Sequence, residues 1–301
     1  MIQIPPYLKK GDTIGITCPA GYMATAKAEK CIETLQRWGL EVMVGKTLGS
    51  RSKNYFSAKD DVRRDELQAM LNDENIKAIL CGRGGYGVGR IIDQLDFTEF
   101  KKNPKWIIGF SDITVLHAHL FTNMHIASLH APMANAFNEG ENKFIESLHD
   151  AIVGKKAKYR CAAHSYNRRG TATAELVGGN LSLLAHLVGT PSDIDTNDKI
   201  LFIEDIGEQI YSIDRMMYQL KRSGKLDGLA GLIVGGFTDM GDTERAFGKT
   251  AYKVVQEITS GYDYPVCFNF PVSHGKRNYA LKVGVTYTLK TGKKTTWLSE
   301  L

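Results

Sequence analysis

The chain has 301 residues, with 38 Lys+Arg against 33 Asp+Glu for a formal net charge of +5, 43% hydrophobic and 24% charged residues. At roughly 100–200 residues per domain this predicts two domains or one large one, with a core that needs no disulfide or metal staple. A disordered or fibrous chain is excluded by composition, and the charge is too mild to imply a nucleic-acid binder. The short clusters Lys101-Lys102, Lys155-Lys156 and Lys293-Lys294 read as solvated loops. Cys18, Cys31, Cys81, Cys161 and Cys267 are odd in number and show no C-x-x-C or zinc spacing, so thiols and no metal are expected. No 18-residue apolar stretch predicts a membrane span. The segment Met1–Pro6 lacks a charged region followed by an apolar run, so no secretory signal is expected and a cytoplasmic location is the default.

Strand and helix alternate through the first half. A short apolar strand, Thr13–Cys18, closes at Pro19 and Gly21, and Ala28, Cys31, Ile32, Leu35 and Trp38 then recur at helical spacing. Gly39 stops that helix and Glu41–Val44 is the next strand. A helix is expected from about 61 to 71, a β-rich run at Ile76–Cys81, a glycine loop over 82–89, a helix over 90–95, a strand over 106–110 and a helix over 113–120. This rhythm means βαβ units and a mostly parallel, Rossmann- or flavodoxin-like sheet in residues 1–153. Residues 154–170 are polar and basic and are expected to be a linker. Residues 171–301 then form a mixed α/β domain, with strands near Glu175, 200–203, 232–234 and 266–268 and helices near 181–187, 213–220 and 252–258. Tyr279–Leu289, the turn Thr291-Gly292 and Thr295–Leu298 read as a β-hairpin, which adds antiparallel content.

Three places carry chemistry. Gly82-Arg83-Gly84-Gly85-Tyr86-Gly87 follows a strand and formally matches G-x-G-x-x-G. The dinucleotide fingerprint normally occupies the first βα turn, whereas this one follows the third strand. Open backbone amides there suit a pyrophosphate, a carboxylate or an acyl-transfer oxyanion, and a plain tight turn is the remaining reading. A nucleotide-dependent oxidoreductase would use this loop, with Asp112 as its ribose-binding acid. The second place, Ile107-Ile108-Gly109-Phe110-Ser111-Asp112-Ile113, runs a buried strand into a serine and straight into a helix, as in a nucleophile elbow. The usual glycine two residues after the serine is Ile113 here, and helix capping by Ser111 or Asp112 is the bland alternative. The third is a pair of strand ends, Leu201-Phe202-Ile203-Glu204-Asp205 and Pro271-Val272-Ser273-His274-Gly275. A serine needs a base, and the base needs a carboxylate to orient it. Ser111, His274 and one of Glu204 or Asp205 supply those roles. Neighbours on an extended strand point to opposite faces, so only one acid can reach the imidazole.

These segments, with Gly178-Gly179-Asn180-Leu181-Ser182, resemble the LD-carboxypeptidase family of serine peptidases, the muramoyltetrapeptide carboxypeptidases, over nearly the whole chain. The resemblance implies a Ser-Glu-His triad at Ser111, Glu204 and His274. It implies an oxyanion hole from the backbone amides of Asp112 and of Gly85, with Gly84 next. It also implies hydrolysis of the bond between an L-diamino acid and terminal D-alanine in cytoplasmic murein tetrapeptide, in cell-wall recycling, with no metal or coenzyme. A homodimer is the assembly it carries. Arg83, Tyr86, Asn180 and Ser182 are the expected substrate contacts, Arg83 for the free carboxylate. His130-Ala131-Pro132-Met133 departs from the family in having alanine after the histidine. The microcin C self-immunity proteins, which cleave an amide joining an amino acid to a modified nucleotide, belong to the same family and are the alternative. No extra aromatic insertion of that subgroup is evident between Asp205 and His274. A non-catalytic peptide-binding module on the same fold is the reading from another class.

Overall fold

Short runs that are apolar at nearly every position form strands buried on both faces, and that is what the first half of the chain supplies. The computed structural model describes residues 2–140 and 142–301. Its first unit comprises residues 1–155 and 279–282. There β1 (Thr13–Thr17), β2 (Glu41–Val44), β3 (Ile76–Cys81), β4 (Trp106–Gly109) and β5 (Ser128–His130) lie parallel in the order β2-β1-β3-β4-β5. All of β4 and all of β3 except Lys77 are buried. This strand order is the flavodoxin-like one, and it reverses between β1 and β3. Ligand crevices in such sheets open at that reversal, beyond the carboxyl ends of the strands.

The helices of this unit are α1 (Glu29–Arg37), α2 (Asp60–Asn72), α3 (Thr98–Lys102), α4 (Thr114–His119) and α5 (Lys143–Ile152). On α2 the inward stripe is Arg63, Leu67, Met70 and Leu71, the i, i+4, i+7, i+8 spacing of a packed face. The helix expected over 90–95 is instead two 3-10 turns, Val88–Arg90 and Ile92–Gln94. Gly89 and the β-branched pair Ile91-Ile92 give that segment weak α propensity.

The second unit comprises residues 156–278 and 283–301. It contains β6 (Lys158–Ala162), β7 (Gly170–Asn180), β8 (Ile200–Ile206), β9 (Gly231–Thr238), β10 (Val266–Phe268), β12 (Thr286–Thr291) and β13 (Thr295–Glu300), in the order β10-β9-β8-β7-β12-β13-β6. β7 through β10 run parallel, and β7-β12-β13-β6 antiparallel. The long strand β7 joins the two halves, giving 170–175 to β12 and 176–180 to β8. The sheet curls strongly. Cys161 on β6 and Cys267 on β10, at its two edges, bring their sulfurs to 4.0 Å. Helices α6 (Leu181–Leu187), α7 (Ile210–Arg222) and α8 (Ala251–Ile258) pack in series beside it.

Two boundary expectations change. The stretch expected as a linker, 154–170, contains β6, whose alternate residues Tyr159 and Cys161 are buried. Its polar residues are the outward face of an edge strand. The strand expected over 279–289 is broken at Gly284, which takes φ +89°. The part before it, β11 (Leu281–Val283), adds to the first sheet beside β5, so residues 279–282 rejoin the first unit. The β12–β13 hairpin and its turn at Gly292 form as expected, with Gly292 N–H donating to the Thr295 carbonyl at 2.9 Å.

Candidate active site

In the first unit, β4 ends at Gly109 and the chain turns sharply. Ser111 has φ +65°, the left-handed region that a residue with a Cβ adopts at a cost of about 1–2 kcal/mol. Residues Ser111–Ile113 form a 3-10 turn that leads directly into α4. The turn is anchored from below. His117 is fully buried, with Nε2 2.9 Å from the Gly109 carbonyl and Nδ1 2.8 Å from Ser128 Oγ. Burial pushes its pKa down to about 4, so the ring is neutral, with Nε2–H donating and Nδ1 accepting.

The glycine loop after β3 comes to the same place. Gly82 N–H donates to the Thr17 carbonyl, tying the ends of β1 and β3. A Cβ on Gly84 would stand 2.8 Å from Ser111 Cβ, 3.0 Å from Ser111 Oγ and 3.3 Å from Asp112 N. Only a residue with no side chain fits against the serine. The Gly84 carbonyl accepts from Gly21 N–H at 3.0 Å. Across a trans peptide the Gly85 N–H therefore points the opposite way, away from Gly21. Gly85 itself is exposed with φ +102°, and a Cβ there would meet Tyr55 Oη at 3.0 Å.

The Asp112 side chain turns inward and accepts from Val88 N–H at 2.8 Å, holding the two loops together. Burial pushes its carboxyl up to about 6, although the Val88 bond and the charge of Arg63 pull the other way. The native state therefore holds this proton more tightly than the unfolded chain, whose Asp titrates near 4. Unfolding free energy from this group falls as pH rises from about 4 to about 6. In urea titrations, the change in unfolding free energy from about pH 4 to about pH 6 should be more positive for Asp112→Asn than for the wild type.

Arg63, fully buried, donates to the carbonyls of Pro19, Gly87 and Ala58 and pairs with Asp60, stitching the loops after β1 and β3 to α2. Arg83 is exposed and donates to the Tyr22 carbonyl at 2.7 Å. Tyr86 is 49% exposed, its ring 6.0 Å from that of Phe56.

In the second unit the two acids of β8 diverge. The register of β8 against β9 slips between Ile203 and Asp205, so that Glu204 stands opposite Gly235 and Gly236, a bulge on β9, while it stays paired with Asn180 on β7. Glu204 is fully buried, and its Oε2 lies 2.6 Å from His274 Nδ1. An ionised carboxylate only accepts, so Nδ1 carries the proton of the neutral ring. The His274 loop lies across the end of β9, where Gly235 and Gly236 give it room. A Cβ on Gly235 would fall 2.2 Å from the Val272 carbonyl oxygen, and one on Gly236 2.5 Å from Ser273 Cβ. Ser273 Oγ donates to the Arg277 carbonyl and accepts from Gly275 N–H, closing the turn around His274.

Asp205 faces the other way, into the start of α6. It accepts from Asn180 Nδ2 at 2.8 Å, Ser182 N–H at 2.9 Å and Ile206 N–H at 2.8 Å. Burial pushes it up to about 6 against those bonds. Asn180 Oδ1 accepts from Ser182 Oγ and Leu183 N–H, so both residues expected at the substrate are engaged in capping α6. Geometry thus separates the acids that sequence physics left open.

The structure brings together Ser111, Asp112 and Gly84 in one unit and Glu204 with His274 in the other. Sequence reasoning missed Arg63, His117 and Tyr55. Arg63 had a signal, a cation in the apolar stripe of α2. Among the described residues no cluster of three or more His, Cys, Asp or Glu is placed to hold a metal, and no helix is long and apolar enough to cross a membrane.

Family models for the LD-carboxypeptidase N-terminal domain and C-terminal domain match residues 14–131 and 173–289. A probable murein peptide carboxypeptidase of Bacillus subtilis is 35% identical, over 97% of this chain and 92% of its own. The Microcin C7 self-immunity protein MccF of Escherichia coli is 27% identical over 100% of this chain and 98% of its own. The crystal structure of muramoyltetrapeptide carboxypeptidase from Oxalobacter formigenes superposes with a TM-score of 0.85 at 27% identity, covering 96% of this chain and 98% of that one. The two matched family domains define the class as serine peptidases. Within it, the chain belongs to the LD-carboxypeptidase family of serine peptidases. The dinucleotide reading of residues 82–87 is set aside. Its glycines follow β3, and Gly84 is needed for contact with Ser111.

Proposed function

We propose that this protein is a serine LD-carboxypeptidase that removes the terminal D-alanine from murein tetrapeptide in cytoplasmic cell-wall recycling. The observation that carries the reading is Ser111 held at φ +65° against Gly84. A serine in that strained conformation, beside a glycine that admits nothing but a substrate atom, is placed for attack on a carbonyl. Ser111 is the nucleophile and His274 the base that takes its proton. Glu204 holds the imidazole in the tautomer whose acceptor is Nε2. The amides of Asp112 and Gly85 receive the oxyanion, each contributing about 3 kcal/mol to lowering the barrier. His274 then returns the proton to the departing D-alanine amine, and a water activated by the same base cleaves the acyl-enzyme.

The test is incubation of the purified protein with disaccharide-tetrapeptide, read by mass spectrometry. Loss of one alanine is expected. An unchanged tetrapeptide, with cleavage of an aminoacyl-nucleotide amide supplied in parallel, would move the protein to the MccF type of chemistry.

The contact between Gly84 and Ser111 gives a further expectation. Gly84 does not adopt a positive φ, so alanine there costs little backbone strain, but its methyl crowds Ser111 Oγ and the Asp112 amide. Gly84→Ala should lower stability, because Ser111 Cβ must give way to the methyl, and its folded fraction should lose about 100-fold in kcat/KM, the cost typical of displacing reacting atoms by about 1 Å.

A further inference from the structure

A carboxypeptidase that releases one residue must read a free carboxylate very close to the bond it cuts. Three covalent bonds separate the scissile carbonyl carbon from the terminal carboxylate carbon, so the two are within about 4 Å. The reader must therefore stand next to Gly84 and Gly85, which border Ser111. Candidate cations there are few. Arg63 is buried and committed to carbonyls and Asp60, and Arg90 is paired with Asp60 at 2.7 Å. Among the described residues Arg83 has no carboxylate partner and is open to solvent.

A second group stands with it. Tyr55 is 56% exposed, and its hydroxyl, which makes no hydrogen bond among the described residues, lies over Gly85. Neither group is loosely held. The Tyr22 backbone ties both, its N–H donating to the Tyr55 carbonyl at 3.0 Å and its own carbonyl accepting from Arg83 Nη1 at 2.7 Å. Gly21, the preceding residue, bridges to Phe56, and Arg63 and Arg90 pack on the Phe56 ring at 4.9 and 5.4 Å. Gly21 also lies beside both groups. A Cβ on it would be 3.4 Å from Arg83 Nε, while a Cβ on Gly85 would be 3.6 Å from Gly21 Cα and 3.0 Å from Tyr55 Oη.

We propose that the Tyr55 hydroxyl and the Arg83 guanidinium, both held near Gly21 by the Tyr22 backbone, form a clamp that reads the free terminal carboxylate of the substrate. This rests on the function proposed above and adds Tyr55 as a specificity-determining residue. Arg83 supplies charge and one face of a planar donor set, and Tyr55 supplies a neutral O–H that fixes the second oxygen. A site with donors fixed for a charged oxygen rejects the uncharged isostere, because its donors are then left poorly paired.

The experiment compares disaccharide-tetrapeptide ending in D-alanine with the same peptide ending in D-alaninamide. The wild type should favour the free acid by at least 100-fold in kcat/KM. Tyr55→Phe, at an exposed position that costs the fold nothing, should cut that preference at least tenfold, chiefly through KM. Arg83→Gln should cut it further, and free D-alanine should inhibit both variants more weakly than the wild type. An unchanged acid-to-amide ratio in Tyr55→Phe overturns the clamp while leaving the hydrolase reading intact. So does a wild type that cleaves both peptides equally. A wild type that cleaves neither overturns the function reading and the clamp with it.

Discussion

Ser111→Ala should lower kcat by at least about 10⁴-fold, leaving only what the oxyanion donors and binding contribute without a nucleophile. The measurement is release of alanine from tetrapeptide under single-turnover conditions. KM should change little, since the hydroxyl is small and substrate recognition falls to other groups. A variant that keeps more than a hundredth of wild-type activity would mean that another group attacks, and the elbow would then be only a helix entry.

The same position allows a second measurement that separates strain from chemistry. Alanine and glycine both remove the hydroxyl, but only glycine relaxes φ +65°. Ser111→Gly should therefore be more stable than Ser111→Ala by about 1 kcal/mol, after allowing for the greater freedom of glycine in the unfolded chain. Trp38 and Trp106 lie in the first unit and Trp297 in the second, so fluorescence in urea, read in a Trp297→Phe background, reports on the first unit. Equal midpoints for the two variants would show that the turn stores no strain.

The strands that frame the site were legible because each is a short apolar run punctuated by Gly or Pro, as at Thr13–Thr17 and Trp106–Gly109. Ser111, Glu204 and His274 were legible as strand-end residues, and the resemblance assigned them roles. Other features needed three dimensions. Edge strand β6 hid in a polar segment because half of its residues face out. The break at Gly284 looks in sequence like any glycine inside an alternating strand. Tyr55 lies in a loop of Ser, Lys and Asn with no periodicity, and only the closure of Phe56 onto Gly21 carries it to Gly85. The choice between Glu204 and Asp205 was open for a related reason. Alternation says that they diverge, but which one meets His274 depends on the bulge in β9 opposite Glu204.

That divergence sets the second large effect. Glu204→Gln keeps the shape of the side chain but replaces an acceptor-only group with one that can turn an N–H₂ toward His274 Nδ1. The ring would then shift its proton to Nε2, the nitrogen that the proposed mechanism requires as the acceptor. A loss of about 10⁴-fold in kcat is expected, with KM little changed, as is general when the orienting acid of such a triad becomes an amide. Glu204→Asp keeps the charge but withdraws it by one methylene from a 2.6 Å contact, and should fall between. Asp205→Asn is the contrasting substitution. Its carboxylate accepts hydrogen bonds from Asn180, Ser182 and Ile206, so the substitution should weaken the start of α6, with a loss of stability of about 1–3 kcal/mol. Its activity loss should be far smaller than that of Glu204→Gln. If the two substitutions exchanged these effects, the carboxylate that works with His274 would be Asp205, against the 2.6 Å contact of Glu204.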